Sequence, residues 1–212
     1  MKSNKFTTSQ LTILGLMAGI LFLMAYTPLG YLNIGPLAVT FNVIPVAVCA
    51  IVLGPTGGAI AGAVFGLTSF MQAIGIGGVS ALGSALFQIN PFMTAVQCFG
   101  PRILDGICIG FIYRAVHKKA NTYVSCAVTG FFSAFLNTLF FMTALIVMFG
   151  NTELIRNLMG GHNIIVGCCL MVGVNAISEM VSSTIITAAV GTALSKAHLI
   201  PAVQIVKTDT AA

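Results

Sequence analysis

Arg102, Asp105 and Glu179 are charged side chains set inside long apolar stretches of the chain. An ionised group in hydrocarbon costs at least about 2.5 kcal/mol, so such residues face a cavity, a partner or one another. Arg102 offers a permanently charged, planar fork that matches a carboxylate through two hydrogen bonds. Asn175 and Glu179 are four apart and share one face of a helix. Together with Asn137, Thr68 and Gln72 they supply mixed donors and acceptors suited to hydroxyls and amides. The chemistry these residues can do is therefore the capture of a small polar molecule. A plainer reading stands beside it: Arg102 and Asp105, three apart, can neutralise each other, with Asp105 orienting the guanidinium rather than touching a ligand. Glu179 can likewise accept from a ligand or balance Arg102, and Asn137 can bridge two helices.

The elements that must hold these groups follow from composition. Of 212 residues 58% are hydrophobic and only 6% charged, against about 25% charged in soluble domains. The chain reads as an all-α integral membrane protein, with residues 1–212 forming a single membrane-embedded domain. The net charge of +5 forms no basic stripe on a soluble face, which argues against nucleic acid and leaves the lipid bilayer as the surrounding partner. Met1 to Gln10 is a short basic lead, and the apolar run after it is followed by further spans, so it reads as uncleaved. The six cysteines (Cys49, Cys98, Cys108, Cys126, Cys168 and Cys169) lie in apolar stretches without metal-ligand spacing, so they read as small reduced packing residues and no metal is expected.

A hydrocarbon core of about 30 Å needs roughly 20 helical residues. Six transmembrane helices are predicted, near residues 8–27, 38–54, 57–76, 96–116, 122–149 and 164–195. The second is the weakest, since it contains Asn42 and Pro45. Lys2 and Lys5 precede the first helix; Arg114, Lys118 and Lys119 close the fourth; Lys196 and Lys207 follow the sixth. Basic residues favour the cytoplasmic side, so both N and C termini are predicted to be cytoplasmic. Counting from those ends at 1.5 Å per residue, Thr68 lies about 17 Å up, Arg102 about 18 Å, Asn137 about 24 Å, and Asn175 and Glu179 roughly 25–32 Å. Four helices thus bring their strongest polar groups toward the outer half of the membrane.

Small residues recur every fourth position at Gly58, Gly62 and Gly66, at Gly106 and Gly110, and at Gly15 and Gly19. Such stripes let helix backbones approach closely inside lipid, and the first two sets read as packing within the chain. Two outer connections read as gates over the site: residues 27–37, which include Tyr31 and Asn33, and residues 75–92, with Gly75, Gly77, Gly78 and Asn90. His162 reads as an ordinary loop histidine. There is no GxxxxGK[ST] phosphate loop and no His-Glu-x-x-His, so no catalytic constellation is visible and the chain is not expected to be an enzyme. A self-contained carrier that uses Arg102, Asp105 and Glu179 as an ion relay stays open.

The order Leu29-Gly30-Tyr31, Ile44-Pro45, Val52-Leu53-Gly54-Pro55, Gly58-Ala59 and Phe65-Gly66-Leu67-Thr68-Ser69 resembles the substrate-binding S components of energy-coupling factor (ECF) vitamin transporters. Pro101-Arg102-Ile103-Leu104, Leu136-Asn137-Thr138 and Asn175 with Glu179 are similar to the pantothenate-specific branch, although Asp105 stands where that branch is expected to carry an apolar residue. The likeness runs from residue 8 to residue 196. It implies a six-helix protein of a prokaryotic cell membrane that captures a vitamin-like small molecule, pantothenate being favoured, from outside. It implies as partners a transmembrane coupling subunit and two ATPases that use ATP, with no cofactor in this chain. It further implies that Gly15 and Gly19 meet the coupling subunit. Another vitamin or carboxylate metabolite remains an alternative. Pantothenate carries one carboxylate, two hydroxyls and one amide, and burial of its carboxylate needs a cation, for which Arg102 is best placed.

Overall fold

Thr7 opens the first helix by accepting from the Gln10 backbone N–H, while the Gln10 side chain accepts from the Thr7 N–H, a reciprocal cap over the first turn. The computed structural model describes residues 7–27, 31–33, 38–78, 80–158, 164–197 and 199, with side chains for all of these except 31–33, 38, 39, 164–172 and 174. Its elements in chain order are α1 (Thr8–Tyr26), β1 (Tyr31–Asn33), β2 (Ala38–Thr40), α2 (Val43–Ala73), α3 (Ala81–Ile89), α4 (Pro91–His117), α5 (Thr122–Phe149), α6 (Glu153–Leu158) and α7 (Ile164–Lys196). The two short strands pair antiparallel, with Tyr31 opposite Thr40 and Asn33 opposite Ala38; everything else regular among the described residues is helical. Among the described residues, five helices are long and apolar enough to cross a membrane: Thr8–Tyr26, Val43–Ala73, Pro91–His117, Thr122–Phe149 and Asn175–Lys196 within α7.

Helix α2 is two arms. Gly54 has φ +73°, a left-handed conformation that glycine adopts without cost, and Pro55 begins the second arm. A Cβ built on Gly58 would stand 3.0 Å from that of Ala50, whereas eight residues of unbroken helix rise about 12 Å. The chain therefore reverses at Gly54. The first arm packs between α1 and α7, with Val48, Val52 and Leu53 against Ile13, Met17, Val190 and Leu194.

The second arm runs antiparallel to α4 along a seam of glycines. Gly58 lies against the Gly106 carbonyl, Gly62 against that of Arg102, and Gly66 against that of Cys98. Each step of four on one helix is met by a step of four on the other, and a side chain at any of these glycines would strike backbone. Gly110 closes the seam against Pro55. This register is what sets the height of Arg102.

Some expectations change. Residues 38–40 form strand β2 rather than the start of a helix, and the first arm begins only at Val43. The stretch 75–92 is not a plain loop. Gly75, Gly77 and Gly78 make a turn at positive φ, after which Ser80 caps α3 by accepting from the Gly83 N–H. The buried Leu86 of α3 then joins Met142, Leu145, Phe149 and Ile155 in a cluster that also holds α6 in the following connection. Within the glycine-rich stretch read as a gate stands a capped short helix whose Leu82 and Leu86 pack on α5. His162, part of the 27–37 connection, Lys2, Lys5 and Lys207 lie outside the described residues.

Candidate functional site

Arg102 takes its pose from the residue before it. Pro101 sits inside α4 and has no N–H, so the carbonyl of Gln97 loses its helical donor. Arg102 Nη1 turns back along the helix and donates to the carbonyls of Cys98 (3.1 Å) and Gln97 (3.4 Å). The guanidinium carbon then stands 4.6 Å from the Phe65 ring centroid and 5.3 Å from that of Phe141, a cation held between two aromatic faces. Arg102 is 9% exposed and its Nε has no partner. The side chain is held firmly on one side and keeps donor capacity on the other.

Asp105 does not close an ion pair with Arg102 among the described residues; it feels that charge and stands beside Ser133 on α5. Ser133 Oγ also lies 3.3 Å from the Val43 carbonyl, so it links α4, α5 and the first arm of α2. Asp105 Oδ1 has no partner. Asn137 is buried one turn beyond Ser133, and Phe141 one turn beyond that. A spacing of four puts all three on one face, so Asn137 looks toward the span between Asp105 and Arg102.

Glu179 on α7 lies within electrostatic reach of Arg102. Its Oε1 accepts from the backbone N–H of Thr40 (2.6 Å) and from the Thr40 hydroxyl (3.2 Å). Strand β2 has a single partner strand, so the outward N–H of its last residue needs an acceptor, and Glu179 supplies one. Asn175 is buried one turn away on the same face. The structure thus gathers Arg102, Asp105, Asn137, Asn175 and Glu179 from α4, α5 and α7.

The remaining expected residues are engaged elsewhere. The Thr68 hydroxyl donates to the Phe65 carbonyl of its own helix (2.9 Å), and Gln72 Nε2 donates to the Ala25 carbonyl (2.6 Å), tying α2 to the end of α1. Asn90 caps α4 by accepting from the Met93 N–H. Tyr31 and Asn33 lie on β1, their side chains outside those described. Gly15 and Gly19 have nothing within 4 Å of a built Cβ, so that face of α1 is open. Phe141, Ser133, Thr40 and Gln97 were not singled out from sequence, and Phe65 entered only within a motif of the family resemblance. Gln97 is buried, donates through Nε2 to the Phe141 carbonyl (2.9 Å) and leaves Oε1 without a partner. The Pro101-Arg102 pair was the one signal that pointed to this layer's backbone. No group able to hold a metal ion occurs among the described residues.

Membrane-length helices around an internal layer of one cation, two carboxylates and several amides define a helical membrane protein whose polar chemistry is turned inward. The sequence matches the family described as "ECF transporter, substrate-specific component" over residues 9–191. This chain belongs to that family. It is 32% identical over 204 residues to the pantothenate transporter PanT of Leuconostoc mesenteroides, covering 92% of this chain and 95% of that one. It is 28% identical over 211 residues to the pantothenic acid transporter PanT of Lactococcus lactis, covering 93% and 98% respectively.

Proposed function

We propose that this chain is the pantothenate-capturing subunit of an ATP-driven importer in the bacterial plasma membrane. It binds rather than transforms its substrate, carries no cofactor of its own, and relies on a transmembrane coupling subunit and two ATPases for release inside. Its 212 residues act as one membrane domain with six crossings and both termini in the cytoplasm, the reversal at Gly54 supporting a count of two crossings for α2. The first arm, 43–53, is only about 16 Å long. The β1–β2 hairpin continues above it, and irregular backbone at such a depth is tolerated where it lines a cavity.

The observation that carries this reading is Arg102: a nine-tenths buried, permanently charged fork, braced by its own helix and backed by two aromatic rings, with Nε unengaged. A buried cation without an ion-pair partner among the described residues is costly, and a bound carboxylate removes that cost. Asn137 and Asn175 then suit the amide and hydroxyls of pantothenate. Calorimetry on the purified protein tests the assignment. Arg102→Ala is expected to weaken pantothenate binding about 100-fold or more. Unchanged affinity would remove Arg102 from the site, and strong binding of a vitamin without a carboxylate, with none of pantothenate, would overturn the substrate.

A further inference from the structure

Asn42 has no exposed surface, and among the described residues neither its Oδ1 nor its Nδ2 has a hydrogen-bond partner. Two orphaned amide groups at one residue cost about 1–3 kcal/mol each, so a folded chain carries such a residue only for a reason. The ordinary reason would be capping, since Asn42 immediately precedes α2. The geometry excludes it: Asn42 has φ −64° and ψ −17°, helical rather than extended, and makes no side-chain cap bond. An apolar residue would fill the same space more cheaply.

The backbone on both sides of Asn42 is held by residues of the polar layer. Two positions earlier, Thr40 is bound to Glu179 of α7. Directly after Asn42, the Val43 carbonyl accepts from Ser133 of α5, which stands beside Asp105 of α4. The same layer holds other unpartnered atoms, Arg102 Nε and Asp105 Oδ1. Segment 40–43 is therefore clamped into the site from two helices, with its one free carboxamide enclosed.

We infer that Asn42 is a substrate-contacting residue, whose carboxamide engages a ligand group that both donates and accepts, a hydroxyl or an amide, while the carboxylate goes to Arg102. This deepens the functional reading above and rests on it. A carboxamide is matched to such groups because it presents one acceptor and two donors side by side.

Stability and affinity should separate, and that is the test. Wild type, Asn42→Leu and Asn42→Ala are purified in detergent, their ligand-free unfolding midpoints measured, and pantothenate titrated by calorimetry. Asn42→Leu removes two unpaired groups at similar volume, so its ligand-free midpoint should equal or exceed that of wild type, while its Kd for pantothenate rises about 10- to 100-fold. Asn42→Ala should show the same loss of affinity and supplies the reading if the leucine does not fit. Wild-type affinity in both variants would overturn the inference, and so would a large fall in the ligand-free midpoint of both, which would make the amide structural. Absence of pantothenate binding by wild type would instead sink the functional reading on which the inference depends.

Discussion

The seam between the second arm of α2 and α4 and the polar layer beside it share helix α4, yet they are built on opposite rules. Along the seam, glycines at 58, 62 and 66 meet the carbonyls of residues 106, 102 and 98, and no room is left for a side chain. In the layer, Asn42, Gln97, Arg102 and Asp105 each carry a buried polar atom with no partner. Close contact between helices supplies packing where lipid supplies no hydrophobic drive. Unpaired polar atoms forfeit stability, about 1–3 kcal/mol each, and are retained where a ligand can complete them. Arg102 belongs to both regions. Its backbone is pressed on Gly62 while its guanidinium serves the layer, so rigidity in one region is what aims the chemistry of the other.

This contrast can be broken most severely at the seam. Gly106→Val drives a side chain into the Gly58 backbone and should cost several kcal/mol, to the point where little folded protein is recovered on size-exclusion chromatography. A monodisperse variant with a near wild-type unfolding midpoint would show that the two helices can part. Next in size is the tie between Glu179 and Thr40. Glu179→Ala leaves the Thr40 N–H without its acceptor and should lower ligand-free stability by about 1–3 kcal/mol, whereas Glu179→Gln keeps an amide oxygen there and should lose less. Equal losses in denaturant titrations of the two variants would exclude the backbone tie as the main role of Glu179.

Smaller again is Gln72→Leu, which removes the bond to the Ala25 carbonyl. About 1 kcal/mol of stability should go, with pantothenate affinity little changed, since that amide is already committed to α1. A tenfold or greater loss of affinity in calorimetry would return Gln72 to the ligand. The smallest effect on the isolated protein is expected at the open face of α1. Gly15→Leu and Gly19→Leu meet nothing within 4 Å of the new Cβ, so midpoint and affinity should stay at wild-type values. If that face meets the coupling subunit, uptake by the assembled transporter should nevertheless fail; normal uptake would move the interface elsewhere.

Several of these features were legible in the residues alone. The helix caps at Thr7, Asn90 and Asn121 were not among them, Asn90 having been placed in a gate, although each is local and its side chain accepts from an N–H three residues on, at Gln10, Met93 and Val124. The glycine spacing announced a close helix pair, though not that 58, 62 and 66 would face 106, 102 and 98. Depth counting brought Arg102, Asn137, Asn175 and Glu179 to neighbouring levels, because rise per residue is nearly constant in any helix. The same counting also included Thr68 and Gln72, whose side chains donate to the carbonyls of Phe65 and Ala25. Height along a membrane can be read from a string of residues; the direction a side chain faces needs its neighbours.

Hydropathy and charge placement by themselves determined that this is a helical membrane chain with its few ionisable groups held inside, since the cost of a charge in hydrocarbon depends on the residue alone. The tertiary structure decided which atom answers which. Thr40 and Glu179 are 139 residues apart, and residues 38–40 are strand and not helix because they pair with residues 31–33. Asn42 looked like a weak point in a helix, and only its enclosure without partners marks it as a candidate for the ligand. Hydrogen bonding between distant residues is fixed by packing geometry, which no local pattern encodes.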